Sequence, residues 1–363
     1  MSIFDIMKHK KTTIYLSFFL GIQILFVHYI SNYPNFVERY YSNGIYPYIS
    51  SFFRIIFGWI PFSIGDVFLA IFVFLLFRFL FRLIKNRFRN LIPKLLQLTA
   101  FISVLYFCFY FFWGFNYFRE PLAKNLGFKQ ANYTTEQLTA VTEKIILNLN
   151  TIHLQLVKND TLKINIPYAQ KEIYLKALDG FTNISNTYPQ LTYAHPSVKS
   201  SLMSLLQSYI GTAGYLNPLT GEAHINDCIP KTGTPTTTCH EMAHQLGFAA
   251  ENEANFIGFL ASVSNNDLYF QYSGYRMAFG YAISEIRKRD SRLGKALWKT
   301  VNRGIAKDFQ SSSDFWRQYK NPIEPFIKKG YSSYLKANKQ SKGIQSYSYV
   351  VNLLISYFQS NEK

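Results

Sequence analysis

Three residues on one short segment have the types and spacing for metal chemistry. They are His240, Glu241 and His244, in the run Thr238-Cys239-His240-Glu241-Met242-Ala243-His244-Gln245-Leu246-Gly247. On a helix, a four-residue step sets His240 and His244 on one face, where two imidazoles can grip one zinc ion (Zn2+) while Glu241 reaches its bound water. Glu241 is then the candidate general base, taking a proton from the water and passing it to a leaving amine. Zinc lowers that water's pKa to about 7, so the nucleophile is accessible at neutral pH.

Catalytic zinc takes three protein ligands and leaves one position open, so a third donor is needed. Ala250 stands where the metzincin pattern requires its last His, which excludes that class. Glu251 and Glu253 follow closely, but from an unbroken helix neither reaches the metal, because seven residues span about 10 Å. The chain must turn near Gly247. A second helix returning beside the first puts Glu251 and Asn255 on one face, so the carboxylate can bind zinc while the amide orients a ligand from behind. Glu253 has apolar Phe256 and Ile257 at the equivalent spacing and is the second choice, ahead of a residue remote in sequence. Tyr272, Tyr275 and Arg276 are candidate donors to a transition state, although with 27 Tyr in the chain packing is the commoner role for either tyrosine.

The elements around the motif follow from punctuation and periodicity. Residues 231–235 read as a loop and 236–238 as a helix start; 254–262 continue as an apolar helix, which Asn265-Asn266-Asp267 interrupts before another helix to about Arg289. Upstream, Asn132-Tyr133-Thr134-Thr135-Glu136 is an N-cap signal for a helix through Leu138, Val141, Ile145, Ile146, Leu149 and Ile152. Further helices are expected over 170–178 and 197–209, a break at 211–214, and a short strand over 222–226. That strand could pair an exposed edge with an extended peptide above the metal, or be an ordinary edge strand, and His224 within it reads as a plain strand histidine. Residues 290–342 suggest helices with surface loops, and 350–358 a core helix too short to span a bilayer.

The chain has 363 residues, 48% apolar and 18% aromatic, and its aromatic excess lies largely in the first 120. Three stretches there are long and apolar enough to cross a membrane, at about 12–30, 62–81 and 95–118. The first is longer than a signal-peptide h-region and lacks a small-x-small cleavage site, which favours an uncleaved anchor. Residues 31–61, mixed and rich in Tyr and Trp, suit the membrane interface. The net charge of +17 is dispersed and no nucleic-acid motif accompanies it, so nucleic acid is excluded as partner and the lipid bilayer favoured. Basic clusters at Lys8, His9, Lys10 and Lys11 and from Arg78 to Lys94 share the cytoplasmic side by the positive-inside rule, which puts everything after Arg119 outside. Cys108 falls in a span, leaving Cys228 and Cys239 as the one conceivable bridge.

The expected architecture is therefore mainly α: a membrane anchor (1–119) with three transmembrane helices, then a mostly helical extracytoplasmic domain (120–363) with a small β element. His240-Glu241-Met242-Ala243-His244-Gln245-x-Gly247-Phe248-Ala249, followed by Glu251-x-Glu253-Ala254-Asn255-Phe256, resembles an uncharacterised family of three-span bacterial membrane proteins, largely from Bacteroidetes-type bacteria, with a zincin-like outer domain. The likeness extends to Gly44-Ile45-Tyr46-Pro47, Pro61-Phe62-Ser63-Ile64-Gly65-Asp66, Thr220-Gly221-Glu222-Ala223 and Tyr272-Ser273-Gly274-Tyr275. It implies a bacterial inner membrane, with the N-terminus cytoplasmic and the outer domain periplasmic. Glu251-x-x-Ala254-Asn255 is also similar to the third-ligand segment of gluzincin peptidases, with Asn255 where Asp is usual and a shorter distance from His244. The combined expectation is a membrane-anchored zinc metallopeptidase: His240, His244 and Glu251 bind Zn2+, Glu241 is catalytic, and the substrate is a peptide or protein of the cell envelope. The alternative is a non-catalytic zinc protein that binds an envelope partner.

Overall fold

The computed structural model describes residues 10–128, 133–340 and 348–360. Lys8 and His9 of the first basic cluster, Asn132 of the expected N-cap signal and the end of the polar stretch at 341–342 lie outside the described residues. The chain is mainly helical with one small sheet, as its patterning predicts. It opens with α1 (Lys10–Ile30), a π-helical stretch (Val37–Ile45), α2 (Tyr46–Gly58), α3 (Ile64–Lys85) and α4 (Leu91–Phe112). Of these, α1, α3 and α4 are long and apolar enough to cross a membrane. One polar and one aromatic contact tie these helices together: Gln23 of α1 donates to Ser103 of α4 at 2.8 Å, and Phe72 of α3 stacks on Phe101 of α4.

The ends of these helices differ from the expected limits for local reasons. Ser63 caps α3 by accepting the Asp66 N–H at 2.8 Å, so the second span starts at Ile64 and runs on to Lys85. The third starts at Leu91, because Pro93 is tolerated in a first turn, and stops at Phe112. Gly114–Phe118 then forms a tight 3₁₀ turn, most of it buried. Residues 31–61 turn polar groups toward the C-terminal part of the chain: Tyr46 and Ser50 donate to Gln245 O at 2.9 and 2.8 Å, and Arg54 to Ala194 O at 2.6 Å.

The region after the three apolar helices begins with α5 (Thr135–Val157), capped by a reciprocal Thr134–Gln137 pair, and α6 (Gln170–Ser185), which continues beyond the expected 178. Next come β1 (Val198–Ser200), α7 (Ser204–Ile210), β2 (Gly214–Leu216) and β3 (Ala223–Ile225). The order is β1-β3-β2, with β1 parallel and β2 antiparallel to β3. Two expectations are corrected here. The helix over 197–209 divides into β1 and a shorter α7, because Val198, Lys199 and Ser200 pair with β3. The strand at 222–226 is central, so the edges of the sheet belong to β1 and β2, and β2 starts at Gly214, the last residue of the run read as a break.

The rest is α8 (Thr234–Gln245), α9 (Glu251–Val263), α10 (Leu268–Arg289), α11 (Ser291–Trp298), α12 (Arg303–Gln318), α13 (Glu324–Ala337) and α14 (Ser348–Ser360). Met242, Phe256, Phe259, Phe279, Val350 and Ile355 are fully buried in the core where α8, α9, α10 and α14 meet. Each such side chain contributes about 1.5–3 kcal/mol through area removed from water. The core role of 350–358 is thus as predicted. All three cysteines are free, Cys239 buried and Cys228 exposed, so no bridge joins them.

Candidate metal centre

Helix α8 carries Pro235 in its first turn, and Thr238 Oγ1 donates to Thr234 O at 2.9 Å. It ends at Gln245, where the Gly247 φ of +85° reverses the chain. Only Gly fits there without strain, since a Cβ would also stand 2.8 Å from the Tyr46 ring. The returning chain starts α9 at Glu251, and Gly258 lets the two helices pack closely, its Cβ position lying 3.1 Å from His240 N. The turn expected at Gly247 is the turn observed.

This hairpin brings donor atoms of His240, His244 and Glu251 within 4.8 Å of one another. Glu251 Oε2 is 3.5 Å from His240 Nε2, and Oε1 is 3.7 Å from His244 Nε2. His244 Nδ1 donates to Phe248 O at 2.7 Å, which leaves the Nε2 lone pair facing Glu251. Burial and the neighbouring His244 lower the His240 pKa to about 4, against the pull of Glu251 and the Asn255 amide beside it. Burial alone would raise Glu251, but the two imidazoles and a hydrogen bond from Tyr331 hold it below the usual carboxylate range.

Glu253 faces elsewhere. Its Oε1 accepts the Leu122 N–H at 2.7 Å, and burial raises its pKa to about 7 despite that bond and the Arg119 charge. Asn255 donates to Glu251 O at 2.7 Å and so braces the first turn of α9. Glu241 Oε1 lies 4.0 Å from His240 Nε2, while Oε2 is buried without a hydrogen-bond partner among the described residues. Burial, and then the Glu251 charge, push its pKa well above the ordinary value.

The four residues line a pocket of about 660 Å³ that also takes in β2, Trp113 and Tyr117 from the end of the anchor, and Tyr331 and Tyr334 from α13. Tyr272 is in the core, donating to Asp308 Oδ2 at 2.6 Å, and Tyr275 packs edge-on against Phe259; neither lines the pocket. Arg276 does, with its guanidinium over Phe309 and Nη2 on Ser312 Oγ at 2.6 Å. Two contributors escaped the sequence reading. Gly214 of β2 lies so close to Glu241 that a Cβ there would be 2.7 Å from Oε1. Tyr331, in a stretch without a strong pattern, donates to Glu251 Oε1 at 2.7 Å.

Segments carrying the family resemblance contact one another behind the lining of the pocket: Tyr46 holds the end of α8, and Glu222 accepts the Gly65 N–H at 2.6 Å. The family described as "Protein of unknown function (DUF3810)" matches residues 41–355. The chain belongs to that family. The matched region includes the donors His240, His244 and Glu251, the whole sheet, and Tyr331. No curated protein and no solved structure matches the chain.

Proposed function

We propose that this chain is a membrane-anchored, zinc-dependent metallopeptidase with a gluzincin-like donor set. The observation that carries the reading is the convergence of His240, His244 and Glu251 in one pocket with the Glu241 carboxylate alongside. Two imidazoles and a carboxylate suit Zn2+ in type and number, and His244 already has its ligating nitrogen set by the Phe248 carbonyl. Among the described residues no fourth His, Cys, Asp or Glu joins the cluster. An open position supports catalysis over a closed structural site.

Bound zinc would supply a water of lowered pKa and a polarised carbonyl. The chain's own part falls to Glu241 and β2. Glu241 takes the proton of the attacking water and returns it to the departing amine. The outer edge of β2 has no strand partner among the described residues, and an extended peptide laid along it passes beside Glu241 at Gly214. The substrate-holding role considered for 222–226 thus moves to 214–216.

The positive-inside asymmetry and the family resemblance support a bacterial inner membrane, with the zincin-like domain on the periplasmic side and a cell-envelope peptide or protein as substrate. The purified full chain tests the reading. Chelation should abolish peptide hydrolysis and one equivalent of zinc restore it; hydrolysis that survives metal removal would overturn the proposal.

A further inference from the structure

Helix α7 is amphipathic in the reverse sense for a protein in water. Its polar Ser204, Gln207 and Ser208 are buried, whereas Leu202, Leu205, Leu206 and Tyr209, at helical spacing, face outward. Beside it, α13 presents Ile323, Phe326 and Ile327, and Asn321 Nδ2 joins the two helices by donating to Tyr209 O at 2.7 Å. Leu205 is 58% and Phe326 75% exposed. An apolar surface of this kind calls for a covering phase.

The position of the ridge identifies that phase. The N-terminus of α7 is fixed to the outer end of α3, where Asp66 Oδ2 accepts Ser201 Oγ at 2.8 Å and the Leu202 N–H at 2.7 Å. The chain just past α13 is fixed to the same ends of the other two spans. Tyr110 of α4 donates to Asn338 Oδ1 at 2.8 Å, and Lys339 Nζ donates to Asn32, just beyond α1, at 2.7 Å. The ridge therefore lies at the level where all three spans leave the bilayer. Trp59, 79% exposed at the C-cap of α2 in the short link to α3, marks the same interface. Lys329 follows Phe326 and Ile327, a cation beside apolar groups as suits anionic headgroups, while Lys328 is paired with Glu324.

We infer that α7 and α13 insert their apolar faces into the outer-domain leaflet of the bilayer, so that the pocket, walled by Tyr331 and Tyr334 of α13 and by 211–216 after α7, opens at the membrane surface. The inference holds whatever chemistry the pocket performs.

An environment-sensitive fluorophore on a single cysteine at Leu206 or Phe326 tests it. The full chain, with Cys108→Ala and Cys228→Ser and with the buried Cys239 kept as the one native thiol, is reconstituted in phosphatidylcholine–phosphatidylglycerol vesicles, and a cysteine at exposed Asn159 is labelled for comparison. Both positions are surface sites, and matching thermal unfolding of each labelled protein shows that the fold persists. The expected result is a blue shift and loss of emission with nitroxide-labelled lipid at 206 and 326 but not at 159. Quenching by aqueous iodide at either ridge position, with no effect of nitroxide lipid, overturns the inference and leaves the ridge to a protein partner.

Discussion

Tyr331 donates its hydroxyl to Glu251 Oε1 at 2.7 Å, so a residue of α13, a helix secured at its end to the C-terminal ends of α1 and α4, steadies the carboxylate that completes the donor cluster. Groups that orient a ligand from behind are typically worth about 10–100-fold in metal affinity. Tyr331→Phe should weaken zinc binding by about that factor with the thermal midpoint little changed, measured by competition with a chromophoric chelator. Unaltered affinity would reduce Tyr331 to a pocket wall.

Glu251 and Glu253 lie two residues apart and do different work. Glu251→Gln should lose zinc, whereas Glu253→Gln should retain it, because Glu253 serves the Leu122 N–H instead. Metal analysis of the two variants checks this, and the opposite pattern would exchange the two assignments.

Gly214→Ala places a methyl 2.7 Å from Glu241 Oε1, and the backbone of β3 blocks retreat at 2.8 Å from His224 O. Glu241 or the edge strand must shift, at a cost of about 1–3 kcal/mol for such overpacking. Peptide hydrolysis should fall while zinc remains bound; an unchanged kcat would show that the carboxylate is not held where the reaction occurs.

Glu222 ties the sheet to the start of α3. Burial would raise its pKa, but the His224 imidazole 3.6 Å away, hydrogen bonds from Lys199 and the Gly65 N–H, and the Lys199 charge bring it down to about 2. A carboxylate depressed on folding stabilises the protein above its unfolded pKa of roughly 4.5, and that stability is lost as pH falls toward about 2. Thermal unfolding in detergent should show this acid loss, and Glu222→Gln should flatten it. An identical acid profile in the variant would assign the effect to other carboxylates.

Much of this was legible in the sequence because it rests on local rules. The four-residue step of His240 and His244, the reversal at Gly247 and the three apolar runs each have a period or a punctuation mark that survives in one dimension. The choice of Glu251 over Glu253 was only suggested by spacing; what separates them is the Leu122 N–H, over a hundred residues upstream. Three-residue strands such as β1 and β2 give too few alternations to be seen, and helical spacing alone does not show that the leucines of α7 face outward. Tyr331 reaches the site only through tertiary packing, and nothing around it in the sequence marks that role.

In the proposed reaction Glu241 moves the proton of a zinc-dependent hydrolysis. The most direct test of that role is peptide hydrolysis by zinc-loaded Glu241→Gln beside the native chain, with bound zinc quantified in both samples. General acid–base groups contribute about 10²–10⁴-fold, so the variant should hold one equivalent of zinc and lose at least about 100-fold in rate. Full hydrolysis by that variant, with zinc in place, would contradict the account.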